Sequence, residues 1–79
     1  MTNEELISLV MQFTDGVDLS VSSANAIEVA IDDAFPEDEE MQDVVLMLAS
    51  YRPGGGDFLY DAGEVRMKLL KVIERLQRE

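Results

Sequence analysis

The sequence predicts a single all-α domain of four helices, with a glycine-rich loop between the third and the fourth. Apolar residues recur at intervals of three and four along four segments of the 79-residue chain, which is the spacing of one buried helical face. Two of these segments begin with a capping-box pattern, and prolines or glycines lie where a helix has to stop. A chain of this length makes one domain, residues 1–79.

The first helix is predicted over residues 3–13, behind a capping box that Thr2 forms with Glu5. Its apolar positions are Leu6, Leu9, Val10 and Phe13. Residues 14–16 end this helix, because Gly16 can adopt the left-handed conformation of a C-cap.

The segment 17–23 alternates apolar and polar side chains, which is a strand-like period. A single short strand would have no partner here, so we predict a loop whose apolar side chains pack into the core. Ser22 or Ser23 then caps the second helix, and Pro36 stops it, because proline disfavours a helical residue before it. The apolar positions of this helix are Ala26, Ile27, Ala30, Ile31 and Ala34.

Pro36 also predicts the start of the third helix, since its missing N–H costs nothing in a first turn. The four acidic residues 37–40 follow in that same turn, near the positive end of the helix dipole. The helix is expected to end at about Tyr51 or Arg52, because Pro53 and three glycines follow. Its buried stripe consists of Met41, Val44, Val45, Leu48 and Tyr51.

A second capping box, formed by Asp61 and Glu64, opens the fourth helix. Its apolar face consists of Val65, Leu69, Val72, Ile73 and Leu76. The basic residues of this helix lie mostly off that face and towards the C-terminus, where the helix dipole favours positive charge.

Charges are distributed unevenly along the chain, whose formal net charge is −11 at pH 7. The first 51 residues contain twelve aspartates and glutamates and no lysine or arginine, and all six basic residues follow them. An acidic surface repels nucleic acid and anionic membranes, and it attracts a basic protein over about a Debye length. The sequence therefore predicts a basic protein partner, rather than nucleic acid or a membrane.

The residue types argue against an enzyme and against a cofactor. The chain has no histidine and no cysteine, which excludes Ser-His and Cys-His nucleophilic catalysis. The triple glycine follows a helix and has no lysine after it, unlike a phosphate-binding loop. Two carboxylates can form an acid–base pair in principle, but the acidic residues here fall on predicted solvent faces. We predict a non-catalytic protein without a cofactor.

A dense group of carboxylates lies between the second and third helices, and we name it the acidic corner. It consists of Asp32, Asp33, Glu37, Asp38 and Glu40. Such oxygen ligands suit calcium or magnesium, but their spacing does not match the alternating aspartate loop with a distal glutamate. We interpret the corner as a solvated helix cap, and expect weak cation association at most and no metal site.

Targeting signals are not visible in the sequence. The N-terminus lacks a basic region followed by an apolar run, so no secretory signal is expected. No apolar stretch approaches the ~20 residues needed to cross a bilayer. We therefore expect a soluble, cytoplasmic protein.

The loop of residues 53–60 carries the strongest indication of a binding site. Its three consecutive glycines are entropically costly, and they imply positive φ angles or a close approach of the backbone to another group. Phe58 and Leu59 either plug the open end of the bundle or join a binding surface. For Asp57 and Tyr60 we favour binding, because an exposed tyrosine beside a carboxylate is typical of an interface hot spot.

Two segments of the chain resemble bacterial immunity proteins against nuclease colicins and pyocins. Residues 2–10, TNEELISLV, resemble that family's T-x-x-E-(L/F)-(I/L)-x-L-V pattern, and residues 53–60, PGGGDFLY, resemble its P-x-G-x-D-L-I-(Y/F)-Y pattern. The chain departs from the family in its longer separation between these segments, its shorter linker before the last helix and its lack of a terminal tryptophan.

Immunity proteins of that family are small, acidic four-helix proteins, and the resemblance implies which residues here would touch a toxin. In the family, the aspartate and tyrosines after this turn contact the toxin, and the acidic second helix tunes which toxin is bound. The resemblance implies contacts from Asp57 and Tyr60, with Asp61 where a second tyrosine would stand. The immunity proteins of contact-dependent inhibition systems, also small, acidic and helical, are a looser likeness.

Two functional hypotheses follow. In the first, the chain binds and neutralises a basic partner such as a nuclease toxin, through a tip that comprises Asp57, Phe58, Tyr60 and Asp61. The acidic corner would steer the partner electrostatically, together with Asp43. In the second, the chain is a self-associating or regulatory helical domain, whose methionines line an adaptable apolar groove. A homo-oligomer is therefore an open alternative.

Overall fold

The computed structural model describes residues 2–57 and 59–78, and this part of the chain forms four helices and no β-strand. The helices are α1 (Asn3–Thr14), α2 (Val21–Ala34), α3 (Glu39–Ala49) and α4 (Ala62–Arg78). Each helix packs against its neighbour in the chain, and α4 also packs against α1. The predicted all-α, four-helix fold is confirmed. None of the helices in the described residues has the length and apolar character needed to cross a bilayer.

One apolar face of every helix enters a common core, as the three- and four-residue spacing predicts. The stripe predicted for α4 is buried at all five positions. The stripe predicted for α2 is wrong at Ala26 and Ala34, which are exposed, because the buried face is centred on Ala24, Ile27 and Ile31. The buried apolar residues are Leu6, Val10, Phe13, Ala24, Ile27, Ile31, Met41, Val44, Leu48, Tyr51, Val65, Leu69, Val72, Ile73 and Leu76.

Both predicted capping boxes are present. The backbone N–H of Glu5 donates to Thr2 Oγ1 at 3.2 Å, and the Thr2 N–H donates to Glu5 Oε1 at 3.1 Å. At α4, the Glu64 N–H donates to Asp61 Oδ1 at 2.9 Å, and the Asp61 N–H donates to Glu64 Oε1 at 3.3 Å. Gly16 has a φ of 77°, the left-handed conformation predicted after α1. These local patterns set helix ends because they need no distant partner.

The predicted start of α2 is wrong. Ser20 caps the helix instead of Ser22 or Ser23, since its side chain accepts a 3.0 Å hydrogen bond from the Ser23 N–H. The predicted loop of residues 17–23 is therefore shorter than expected. Its first apolar side chain, Val17, is 76% exposed and does not pack into the core.

The predicted start of α3 is also wrong. Pro36 lies in a turn, and Asp38 is the N-cap, accepting a 3.0 Å hydrogen bond from the Met41 N–H. The Asp38 N–H in turn donates to the Phe35 carbonyl at 3.3 Å. At its other end α3 stops at Ala49, earlier than expected.

Tyr51 is buried as predicted, although it lies beyond the end of α3. Its ring makes an edge-to-face contact with Phe13, with ring centroids 5.1 Å apart. Its hydroxyl donates a 2.6 Å hydrogen bond to the Leu19 carbonyl, on the segment that leads into α2. Burial raises the pKa of this phenol, with the charge of Asp61 as a smaller cause, so the donating proton is retained. Tyr51 thus ties the end of α3 to α1 and to the start of α2.

Candidate partner-binding surface

The loop between α3 and α4 holds Tyr60 in place through its backbone. The Tyr60 N–H donates to the Ser50 carbonyl at 3.0 Å, and the Arg52 N–H donates to the Tyr60 carbonyl at 2.9 Å. These two hydrogen bonds pair Tyr60 with Tyr51 as an isolated parallel bridge. Tyr60 is therefore attached to the segment that Tyr51 anchors in the core, while its own side chain stays 37% exposed.

Two of the three glycines give the loop its shape. Gly55 has a φ of 71° and Gly56 a φ of 142°, which confirms the predicted positive angles. The Gly55 N–H donates to the Arg52 carbonyl at 2.9 Å, and the Leu59 N–H donates to the Gly56 carbonyl at 3.1 Å. The loop is thus internally hydrogen-bonded.

Alanine at position 56 should destabilise the protein, whereas alanine at position 54 should not. At Gly56, a Cβ atom would lie 3.3 Å from Leu59 Cδ1 on a backbone that side-chain-bearing residues rarely adopt. We expect Gly56→Ala to lower the free energy of unfolding by about 1–2 kcal/mol. A Cβ at Gly54 meets nothing within 4 Å, so Gly54→Ala is the matched control. Urea unfolding measures both, and equal values for the two variants would contradict the strained loop.

A surface cleft of about 400 Å³ runs beside Tyr60, where α3 and α4 meet the loop. Its lining residues are Asp43, Leu46, Met47, Ser50, Tyr60 and Lys68. Two of the predicted site residues, Tyr60 and Asp43, are therefore brought together. Sequence reasoning missed Leu46, although its position off the buried stripe of α3 is a signal that could have identified it. Met47 is one of the methionines that the second hypothesis assigns to an apolar groove.

The other residues predicted for the tip do not line the cleft beside Tyr60 in the part of the chain that the structure describes. Asp57 is exposed in the turn of the loop and is not among the residues that line the cleft. Asp61 caps α4 and is half-buried, and its carboxylate already accepts a backbone hydrogen bond from Glu64. Phe58 lies outside the described residues. Leu59 is 38% exposed, which does not fit the predicted plug at the end of the bundle.

Three carboxylates of the acidic corner accept hydrogen bonds from other side chains. Asp38 and Glu40 both accept hydrogen bonds from the Arg75 guanidinium, at 3.1 Å from its Nη1 atom in each case. The guanidinium carbon also lies 5.4 Å from the centroid of the Phe35 ring, within reach of a cation–π interaction. Asp32 accepts a 3.0 Å hydrogen bond from Gln42 Nε2. All members of the corner except the half-buried Asp38 are exposed, and so is Asp43 outside it.

The Asp38 carboxyl has a strongly perturbed pKa. Hydrogen bonds from the Arg75 side chain and from the Met41 N–H hold its pKa at about 2, below the ordinary aspartate value. Such a group stays ionised near neutral pH, so it accepts hydrogen bonds and is a poor proton donor. Within residues 2–57 and 59–78, no three acidic side chains are arranged to hold a metal ion.

Acidification should weaken the fold through Asp38. Because the folded pKa lies below the unfolded one, the stabilisation is complete above about pH 4 and is lost as the pH falls towards the folded value. Asp38→Asn keeps an N-capping side chain but removes the charge, so the free energy of unfolding should vary less with pH between about 4 and 2. Urea unfolding across this range measures the effect. Asp33→Asn is the control at an exposed site, and equal flattening by both variants would contradict this assignment.

The cations of α4 make the molecule electrostatically two-sided. Residues 1–51 carry no lysine or arginine, whereas a groove between α3 and α4 is lined by four cations, with Glu40, Val44, Val72 and Glu74 beside them. These cations are Lys68, Lys71, Arg75 and Arg78. The helices α2 and α3 themselves therefore contribute carboxylates and no cation, and among the described residues Lys68 of α4 is the one cation that lines the cleft beside Tyr60.

Comparison of the chain with protein-family models, curated proteins and solved structures gives no match. The likeness to immunity proteins therefore remains a prediction that depends on residues 2–10 and 53–60 of the sequence.

Proposed function

We propose that this chain is a non-catalytic, acidic protein-binding module whose partner is a basic protein, in the manner of an immunity or antitoxin protein that inhibits a nuclease-like toxin. The observation that carries the proposal is the position of Tyr60. Two hydrogen bonds hold the backbone of this residue. Its exposed aromatic side chain lines a cleft that also contains Asp43, on a molecule with a net charge of −11.

An aromatic side chain on a fixed backbone suits binding because little conformational freedom is lost when the partner arrives. Leu46 and Met47 supply apolar contact area beside it. The carboxylates of α2 and α3 supply attraction over longer distances, which mainly accelerates association. A nuclease fits this chemistry, because it needs a basic surface to hold phosphates.

The partner can be identified by capture on the immobilised chain. Extract from the native source is applied at low salt, retained proteins are eluted with rising salt, and Tyr60→Ala serves as the control bait. We expect a basic protein that the wild-type bait retains and that elutes from the control bait at lower salt concentration. An acidic or neutral partner, or equal retention on both baits, would count against it.

The position of the carboxylates should matter more than their number. Asp32→Asn/Asp33→Asn/Asp43→Asn removes three charges from α2 and α3, and Glu4→Gln/Asp15→Asn/Glu74→Gln removes three exposed charges elsewhere. We expect the first variant to slow association with the captured partner by about tenfold at low salt, and to flatten its salt dependence more than the second variant does. Stopped-flow measurements at several salt concentrations test this, and equal effects would show that only net charge acts.

Self-association is the second candidate, favoured by the exposure of Leu46 (67%) and Met67 (61%). Burying such side chains between two copies would be favourable. Two copies of a chain with a charge of −11 repel each other at low salt, so this candidate predicts association that strengthens as salt rises. Sedimentation velocity at low and high salt distinguishes it, because a protein built for an external basic partner stays monomeric at both.

A further inference from the structure

Two contacts show that α2 and α3 lie antiparallel. Near the α2–α3 connection, Asp32 accepts a 3.0 Å hydrogen bond from Gln42. At the opposite end, the Tyr51 hydroxyl donates to the Leu19 carbonyl at 2.6 Å. Val29 lies three residues before Asp32, and Leu46 lies four residues after Gln42. Because the helices are antiparallel, both residues are about one helical turn from the Asp32–Gln42 contact, at the same height along the two helix axes. Each lies on the side of its helix away from the core and is 67% exposed.

These two exposed apolar residues have only carboxylates as charged neighbours on their helices. Asp32 and Asp33 follow Val29 by three and four residues, and Asp43 precedes Leu46 by three, so they share a helical face. Neither α2 nor α3 contains a lysine or arginine. We name this surface, formed by Val29, Leu46, Asp32, Asp33 and Asp43, the α2–α3 face. It joins the cleft beside Tyr60, because Asp43 and Leu46 line both, and Lys68 of α4 also lines that cleft.

We propose that the α2–α3 face binds a basic amphipathic helix of the partner, an inference that rests on the proposed function and adds the chemistry of the partner. Two adjacent helices leave a shallow groove between them, and a third helix packs into such a groove along an apolar stripe. A stripe of the incoming helix covers Val29 and Leu46, and lysines or arginines beside it meet the flanking carboxylates. Nucleic acid lacks the apolar stripe and is repelled by the carboxylates.

The probe is a synthetic 18-residue helix of leucine and lysine, with leucines along one face. Calorimetry at low salt should give one site, and Val29→Ala/Leu46→Ala should weaken it about tenfold or more. Alanine favours the helix at both exposed positions, so the variant keeps its fold, which circular dichroism verifies. Met67→Ala is the matched control, because Met67 is similarly exposed but lies on α4.

Binding should also depend on how the leucines are arranged along the peptide. A peptide of the same composition with its leucines dispersed should bind at least about tenfold more weakly. Absence of binding, equal affinity for wild type and Val29→Ala/Leu46→Ala, equal affinity for both peptides, or a dimer that buries Val29 and Leu46 would each overturn it.

The outcomes separate this inference from the proposed function. Retention of a basic protein that depends on Tyr60 but tolerates Val29→Ala/Leu46→Ala would leave the function standing and overturn the inference. Peptide binding that depends on Val29 and Leu46, without any basic protein captured from the native source, would support the face and count against the proposed function.

Discussion

Replacing Tyr51 by alanine should lower the free energy of unfolding by about 3–5 kcal/mol, the largest stability effect we expect from this chain outside the helices. The substitution removes a fully buried ring, its contact with Phe13 and the hydrogen bond to the Leu19 carbonyl. Domains of this size have only a few kcal/mol of stability to lose. We therefore expect the variant to be largely unfolded at room temperature, as measured by circular dichroism and urea titration.

Tyr51→Phe separates the ring from the hydroxyl. It retains the ring contact with Phe13 and leaves the Leu19 carbonyl without its donor, so a loss of about 1–2 kcal/mol is expected. The comparison requires that both variants have the same slope of the unfolding free energy against urea concentration. An equal slope shows that the same amount of surface is exposed on unfolding. A loss below about 1 kcal/mol for Tyr51→Ala would mean that Tyr51 does not hold the three segments together.

Replacing Tyr60 by alanine should weaken binding of the captured basic partner by about 2 kcal/mol or more, roughly thirtyfold in Kd. The backbone hydrogen bonds to Ser50 and Arg52 do not involve the side chain, so the loop keeps its shape. Stability should change by less than about 0.5 kcal/mol, because the side chain is partly exposed. Calorimetry with the purified partner measures the affinity, and urea unfolding measures the stability.

Two further variants define what Tyr60 contributes. Tyr60→Phe keeps the ring, so an affinity close to wild type would assign the effect to apolar contact, and a loss as large as that of alanine would assign it to the hydroxyl. Met67→Ala removes an exposed apolar side chain from α4, and it should bind like wild type. Unchanged affinity of Tyr60→Ala would remove the central argument for the proposed function.

The start of α2 is a feature that the local sequence pattern does not determine and the tertiary structure does. Ser20, Ser22 and Ser23 are equally good caps by residue type. Only packing distinguishes them, because Ser23 and Ala24 are buried and the helix has to begin before them. The same holds for α3, where Pro36 suits a first turn but Asp38 is held by Arg75, 37 residues further along the chain.

Some features of the candidate site could be predicted from the sequence, and others depend on the packing of the helices. The glycines and Tyr60 stand out in the sequence because three glycines and an aromatic residue in one loop are unusual in composition. The pairing of Tyr60 with Tyr51, and its meeting with Asp43 and Leu46, depend on how α3 and α4 pack. The sequence could not predict that Val29 and Leu46 belong to one surface, because their equal height along the helix axes follows from the antiparallel packing of α2 and α3.

By itself, the sequence determined that the chain is helical, where α1 and α4 begin, which face of α4 is buried and how unevenly charge is spread. These properties depend on side-chain spacing and on hydrogen bonds between residues a few positions apart, which need no distant partner. Only the tertiary structure decided which carboxylates are paired with Arg75, which apolar side chains stay exposed and how Tyr60 is held. Those properties depend on contacts between segments far apart in the chain, and packing of the common core selects them.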